Sequence, residues 1–190
     1  TVSGTVFDRL ALQSDNDERF ANYRSLIREE FARKHSVFFC VPTAEDVKFF
    51  VAELSKGIEN YTHGLYGSLP KKKLQAIWKN IATEEHQILI LATGMLFSLC
   101  REDVGVIIIE NESSRFYKLP LRPYIDIRTF AEFFAKEMKV KFIVGDVLLR
   151  TETIYRFEQG EFSELTPLKF RSLSPAQSRV IDMSGYKKSS

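Results

Sequence analysis

The sequence predicts an α/β fold, a parallel β-sheet sandwiched by helices, and the alternation of its segments carries that expectation. Short aliphatic runs, "VFFCV" at 37–41, "ILILA" at 88–92, "VGVIIIE" at 104–110 and "VKFIVG" at 140–145, read as strands buried on both faces. Between them, apolar residues recur at helical spacing. The 190 residues suffice for one domain with a sizeable core, and 44% hydrophobic with 13% aromatic residues excludes a disordered chain.

In chain order, Phe20, Tyr23, Ile27 and Phe31 define a first helix. Asp15, followed three residues later by Glu18, gives it a capping-box-like start. The strand at 37–41 follows, then a second helix on Val47, Phe50, Val51 and Leu54, and a short strand around Tyr61 to His63. Leu74, Ile77, Trp78 and Ile81 mark a third helix and assign Trp78 to the core; Phe130, Phe133, Phe134 and Met138 do the same for a fourth. From about Phe162 the pattern weakens through Pro167 and Pro175 until "RVIDM" at 179–183 offers a closing strand. Residues 1–183 therefore read as one domain, and 184–190 as a linker toward a missing C-terminal part.

Net charge narrows function only slightly: 27 basic against 25 acidic residues, +2 overall, is a weak lean toward polyanions, so nucleic-acid binding has to come from local sites. Cys40 and Cys100 each lie beside hydrophobic residues and read as reduced core thiols of a cytoplasmic protein. His35, His63 and His86 share no ligand spacing with them, so no metal site is expected. The apolar runs are too short to span a bilayer, and no signal-peptide pattern opens the chain.

Between residues 61 and 183 a series of segments occurs in a familiar order: "THGLYGSLPKKKLQAIW", "ATGMLFSL", "GVIIIENESSRFYK", "RPYIDIRTFAEFFAKEMKVKFIVGDVLLRTETI" and "RVIDM". Together they resemble the first motor lobe of the primosomal protein N′ family, the replication-restart DNA helicases of bacteria. The resemblance implies a RecA-like P-loop NTPase fold, superfamily 2 helicase lobe 1. "ATGMLFSL" is similar to the family's Gly-Thr-Arg-Ser-Ala-Leu-Phe motif, and "GVIIIENESSRFYK" to its Asp-Glu-Glu-His box. "YRSLIREEFARKHSVFFCVP" resembles the family's first helix and second strand. Counting back from it places Asn16, Asp17, Glu18, Arg19 and Phe20 where the family carries Gly-Ser-Gly-Lys-Thr.

A phosphate loop needs glycines that let backbone N–H groups wrap the phosphates, a lysine for the terminal phosphates and a hydroxyl for Mg²⁺. Here no glycine lies between Asp15 and Phe20, Arg19 stands at the lysine position, and Phe20 replaces the hydroxyl. Asp15, Asp17 and Glu18 put carboxylates where phosphate would sit. One such like-charge pair at about 4 Å costs about 4 kcal/mol at an effective dielectric of 20. The box is degenerate as well. Glu110 stands for the Mg²⁺-binding aspartate, and Asn111 replaces the glutamate that activates water. Glu112 is retained, and Ser113 replaces the histidine. An amide has no useful basicity near neutral pH, so general-base catalysis cannot run through Asn111. Asp146, Val147 and Leu148 take the place of the family's Ser-Ala-Thr.

The expectation is thus a silent helicase lobe with no catalytic residue, no nucleotide site and no cofactor in this segment. By resemblance, the relatives' zinc region lies elsewhere in the full-length protein. Glu110 and Glu112 read as solvated acids on one face of a strand end. DNA-contact candidates are Lys71, Lys72 and Lys73, which open a helix after Pro70, and Arg115, Lys118 and Arg122, which interleave with Phe116, Tyr117 and Tyr124. The lysines read first as a solvated cluster and second as a DNA contact, whereas for the loop packing and contact weigh equally; the arginine missing from "ATGMLF" counts against strand contact. The resemblance implies forked or single-stranded DNA as ligand, and single-strand binding protein, the replicative helicase and its loader as partners, without a membrane. The alternative is a protein-interaction scaffold that does not bind DNA.

Overall fold

The structure, a computed structural model, describes residues 7–94, 101–120 and 122–167. Cys100, most of "ATGMLFSL", the "RVIDM" strand and the 184–190 linker lie outside them. Seven strands form one sheet: β1 (Arg9–Gln13), β2 (Ser36–Val41), β3 (Thr62–Leu65), β4 (Leu89–Thr93), β5 (Val104–Glu110), β6 (Lys141–Asp146) and β7 (Ser163–Glu164). Their order is β3-β4-β2-β5-β6-β1-β7, and every ladder is parallel. Five helices cross over between them: α1 (Asn16–Ala32), α2 (Ala44–Leu54), α3 (Lys71–Thr83), α4 (Ile127–Met138) and α5 (Thr151–Glu158).

Strand alternation sorts the core into two layers. Val37, Phe39 and Val41 of β2 and Val106 and Ile108 of β5 pack with α1 and α2. Phe38, Cys40, Ile107 and Ile109 pack with α3, α4 and α5 on the other face. Cys40 is a buried free thiol whose pKa burial pushes up, which leaves it a small apolar side chain. Helix starts are set locally. Asp15 accepts from the Glu18 N–H at 3.0 Å, and Thr43 with Asp46 forms a reciprocal capping box.

Some sequence-level expectations are corrected. Phe133 is 62% exposed because α4 meets the sheet through Ile127, Ala131 and Ala135, and the two small alanines bring the helix close and turn Phe133 outward. Trp78 is 46% exposed: the buried line of α3 runs through Leu74, Ile77 and Ile81, and this helix covers the sheet's outer strand, with Trp78 on its open flank. Strands β1 and β7 were not evident in the sequence pattern.

The core assignment predicts a contrast. Phe39 is fully buried against Tyr23 and Phe50, at ring separations of 5.0 and 5.3 Å. Phe39→Ala should cost about 3–5 kcal/mol, whereas Phe133→Ala should stay within about 1 kcal/mol, both read from urea unfolding midpoints.

Candidate functional site

In a parallel sheet, ligands are taken up at the C-terminal ends of the strands. At that rim β6 lies between β1 and β5, so the turn from β1 into α1 and the end of β5 converge across one strand. Arg19, in the first turns of α1, is buried and bridges them. Its Nε donates to Glu110 Oε1 at 3.0 Å and its Nη2 to the same oxygen at 2.7 Å. Nη1 donates to the Ser14 carbonyl at 2.7 Å, and Nη2 also donates to Asn16 Oδ1 at 2.9 Å. Tyr23, one helical turn after Arg19, donates its hydroxyl to Glu110 Oε2. Gly145 of β6 makes the room, since a Cβ there would collide with the Tyr23 hydroxyl and crowd the Glu110 carboxylate.

The charges are tied to one another. Burial works against the Arg19 charge, but the hydrogen bond and charge of Glu110 outweigh it and raise the guanidinium pKa above its ordinary value. Burial pushes the Glu110 pKa above the usual carboxylate range, although Arg19 and Tyr23 pull it back. The Tyr23 phenol is raised by burial and then by the Glu110 charge, so it stays protonated and remains a donor. The guanidinium cannot shed its proton, and its charge favours the ionised form of Glu110 against burial.

Glu110 and Glu112 do not form solvated acids on one face, as the alternation of a strand would have them. Both are buried, and they diverge because Asn111 between them is left-handed, φ 53°. Asn is among the few residues that enter that region readily. Glu112 then turns to the α5 side, where it accepts from Thr153 Oγ1 at 2.5 Å and from the Arg150 N–H at 3.0 Å. Burial is the main influence on its raised pKa as well. Ser113 is exposed, and its N–H donates to Asp146 Oδ2 at 2.7 Å; Asp146 also accepts from the Val147 N–H at 2.7 Å. Tyr117 belongs to the core, its hydroxyl shared between the carbonyls of Glu110 at 2.5 Å and Cys40 at 3.0 Å.

Chemically, the arrangement is closed. Asn16, Asp17, Glu18 and Phe20 form the first turns of α1, where Asp15 occupies the Glu18 N–H that an anion would otherwise take. Arg19, the cation at this turn, is committed to a carboxylate. Among the described residues, no group of three or more His, Cys, Asp or Glu side chains could hold a metal ion.

The cationic candidates lie elsewhere on the same rim. Lys71, Lys72 and Lys73 are exposed at the start of α3, after β3. Arg115, Lys118 and Arg122 are exposed in the excursion after β5, which closes as Lys118 bridges Asp126 and the Leu119 N–H donates to the Ile125 carbonyl at 2.9 Å. Phe116 and Tyr124, 58% and 72% exposed, carry the Arg115 and Arg122 guanidinium groups 5.3 and 6.0 Å from their ring centres. Sequence reasoning missed Tyr23 and Gly145. The spacing of Tyr23, four residues after Arg19, was the available signal for the first.

No protein-family model and no curated protein sequence matches the chain. Among solved structures it is similar to the C-terminal domain of S. cerevisiae Dbp5 bound to Gle1 and IP6, with 12% identity, 84% of this chain and 89% of that one covered, and a TM-score of 0.60. A second structure, of the C-terminal domain of the DEAD-box protein Dbp5, matches with 10% identity over 85% of this chain and 90% of that one, at a TM-score of 0.50. At these identities the likeness shows the fold alone: the chain has a RecA-like α/β fold, as those two domains do. It does not extend to the replication-restart family or to a first lobe in particular.

The buried pair makes a stability prediction. Arg19→Ala strands the Glu110 carboxylate in the core and should destabilise the fold by about 3–5 kcal/mol in denaturant titrations. The triple substitution Arg19→Met, Tyr23→Phe, Glu110→Leu removes charge and partners together and should recover most of that loss; equal loss in both variants would count against an uncompensated charge as the cause.

Proposed function

We propose that the chain is a helicase-like lobe that has lost ATP binding and hydrolysis and acts as a DNA-binding part of a replication-restart, primosome-assembly protein. The observation that carries the loss is the Arg19–Glu110 pair, 2.7 Å apart and buried from solvent. Each member stands at a position that the resemblance assigns to nucleotide chemistry, and each is consumed by the other. Binding a triphosphate with Mg²⁺ would require breaking a buried bidentate ion pair, and would bring phosphate beside Asp15, Asp17 and Glu18.

The remaining chemistry at the rim is cationic and aromatic. Lys71 to Lys73 and the Arg115 to Arg122 excursion suit phosphate neutralisation and base stacking on a single strand or at a fork. Single-strand binding protein, the replicative helicase and its loader are the partners that this reading proposes.

Calorimetry should detect no ATP or ADP binding in the presence of Mg²⁺, and a micromolar dissociation constant would overturn the proposal. Fluorescence anisotropy on a model fork should give an affinity indifferent to ATP and falling steeply with salt. Replacing Arg115, Lys118 and Arg122 by alanine should lower the salt slope by about 2, at roughly 0.7 per phosphate contact on a single strand. Nucleotide-dependent binding or strand separation would sink the silent-helicase reading. No binding at low salt would favour a protein scaffold, which the exposed Phe133 and Tyr155 of α4 and α5 could serve.

A further inference from the structure

The outer face of α3 carries a combination that the rim sites do not exhaust. Trp78, the chain's single tryptophan, is 46% exposed there. Lys71, Lys72, Lys73 and Lys79 are exposed on the same helix, "KKKLQAIWKNIAT", which contains no acidic residue. Among the described residues none of these lysines has an ion-pair partner. At 100° per residue, Lys71 and Trp78 lie within about 20° of each other and about 10.5 Å apart along the axis, with Gln75 between them and Lys79 about 100° further round the helix. The nearest following acids, Glu84 and Glu85, come after the last helical residue, and Glu84 accepts from the His86 N–H.

The surroundings of the ring decide what it suits. Trp78 is the one large apolar side chain that α3 exposes among the described residues: Leu74 and Ile77 are half-buried, Ile81 is buried, and exposed Gln75 and the small Ala82 lie a turn to either side, which is less apolar surface than a protein hot spot or a bilayer anchor uses. A lone flat aromatic surface in a cationic, otherwise polar field fits a ligand with π-faces strung on a polyanion. We infer that this face of α3 is a single-strand nucleic-acid contact in which Trp78 stacks on a base and Lys71 and Lys79 neutralise flanking phosphates. The inference rests on the proposed DNA-binding reading and extends it from the sheet rim along the outer helix.

Because Trp78 is the only tryptophan, its emission reports the contact directly. The 190-residue chain is titrated at low salt with labelled oligothymidylate of about 15 nucleotides, following anisotropy and tryptophan emission together. Quenching should saturate with the anisotropy. Trp78→Ala, checked for an unchanged circular dichroism spectrum, should bind about fivefold or more weakly, with Trp78→Phe in between, and Lys79→Ala should lower the salt slope by about 0.7. An anisotropy rise with unchanged emission and undiminished binding by Trp78→Ala would overturn this inference and leave the DNA-binding reading intact. No anisotropy change for the wild-type chain would overturn both.

Discussion

The buried Arg19–Glu110 ion pair is the constraint around which the rim of this lobe is organised. Desolvating two charges is tolerable only when geometry is good and the remaining donors and lone pairs are satisfied. The structure meets both conditions through the Ser14 carbonyl, Asn16 and Tyr23. It also needs a strand without a side chain at Gly145, since β6 passes between β5, which carries Glu110, and β1, which leads into α1 and Arg19, and has to leave space for the Tyr23 hydroxyl. The turn from β1 into α1 is stitched to the end of β5, and the helix that follows is capped by the Asp15 carboxylate.

Another buried carboxylate, Glu30, holds the opposite rim, at the N-terminal ends of β5 and β6, and the contrast clarifies Glu110. Glu30, near the end of α1, accepts from Lys141 Nζ at 2.9 Å and lies 3.0 Å from His35 Nδ1, beside a stretch of β5 where Gly105 leaves room for it. Burial raises its pKa, but the Lys141 and His35 contacts outweigh burial and leave it below the usual carboxylate range. Glu110 has Arg19 as its one cationic hydrogen-bond partner, and the Asp146 charge adds to burial, so burial prevails there. Helix α1 is thus tied to the sheet at both ends by charge, with Tyr23, Leu26 and Ile27 packed between. Such a double anchor favours a fixed element over a ligand-responsive one.

Much of the fold was legible because a parallel sheet buries its central strands on both faces. β2, β4, β5 and β6 lie within one residue of their aliphatic runs. β1, "RLALQ", was not, since its polar ends obscure the run and its strand character comes from pairing with β6 and β7. Periodicity located α3 and α4 but not the centres of their buried faces. Two alanines took the sheet contact that bulk alone would assign to Phe133. The meeting of Arg19 and Glu110 was legible from strand order and the resemblance together. The divergence of Glu112 was not, because it depends on the left-handed turn at Asn111 rather than on residue type along a strand.

If the proposed reading holds, the consequence for mechanism is a matter of states rather than of residues. A motor couples nucleotide to strand affinity because the two ligands bias the same conformational equilibrium, and coupling requires differential binding to its two members. A lobe whose phosphate turn is closed by a buried ion pair offers nucleotide nothing to select. Its affinity for a strand is then set by fixed surface groups, the lysines of α3 and the arginines beside Phe116 and Tyr124. Such contacts track the backbone without moving along it. Release has to come from competition for the phosphates or from a partner that binds the same face, which suits a factor that marks a structure for assembly better than one that remodels it.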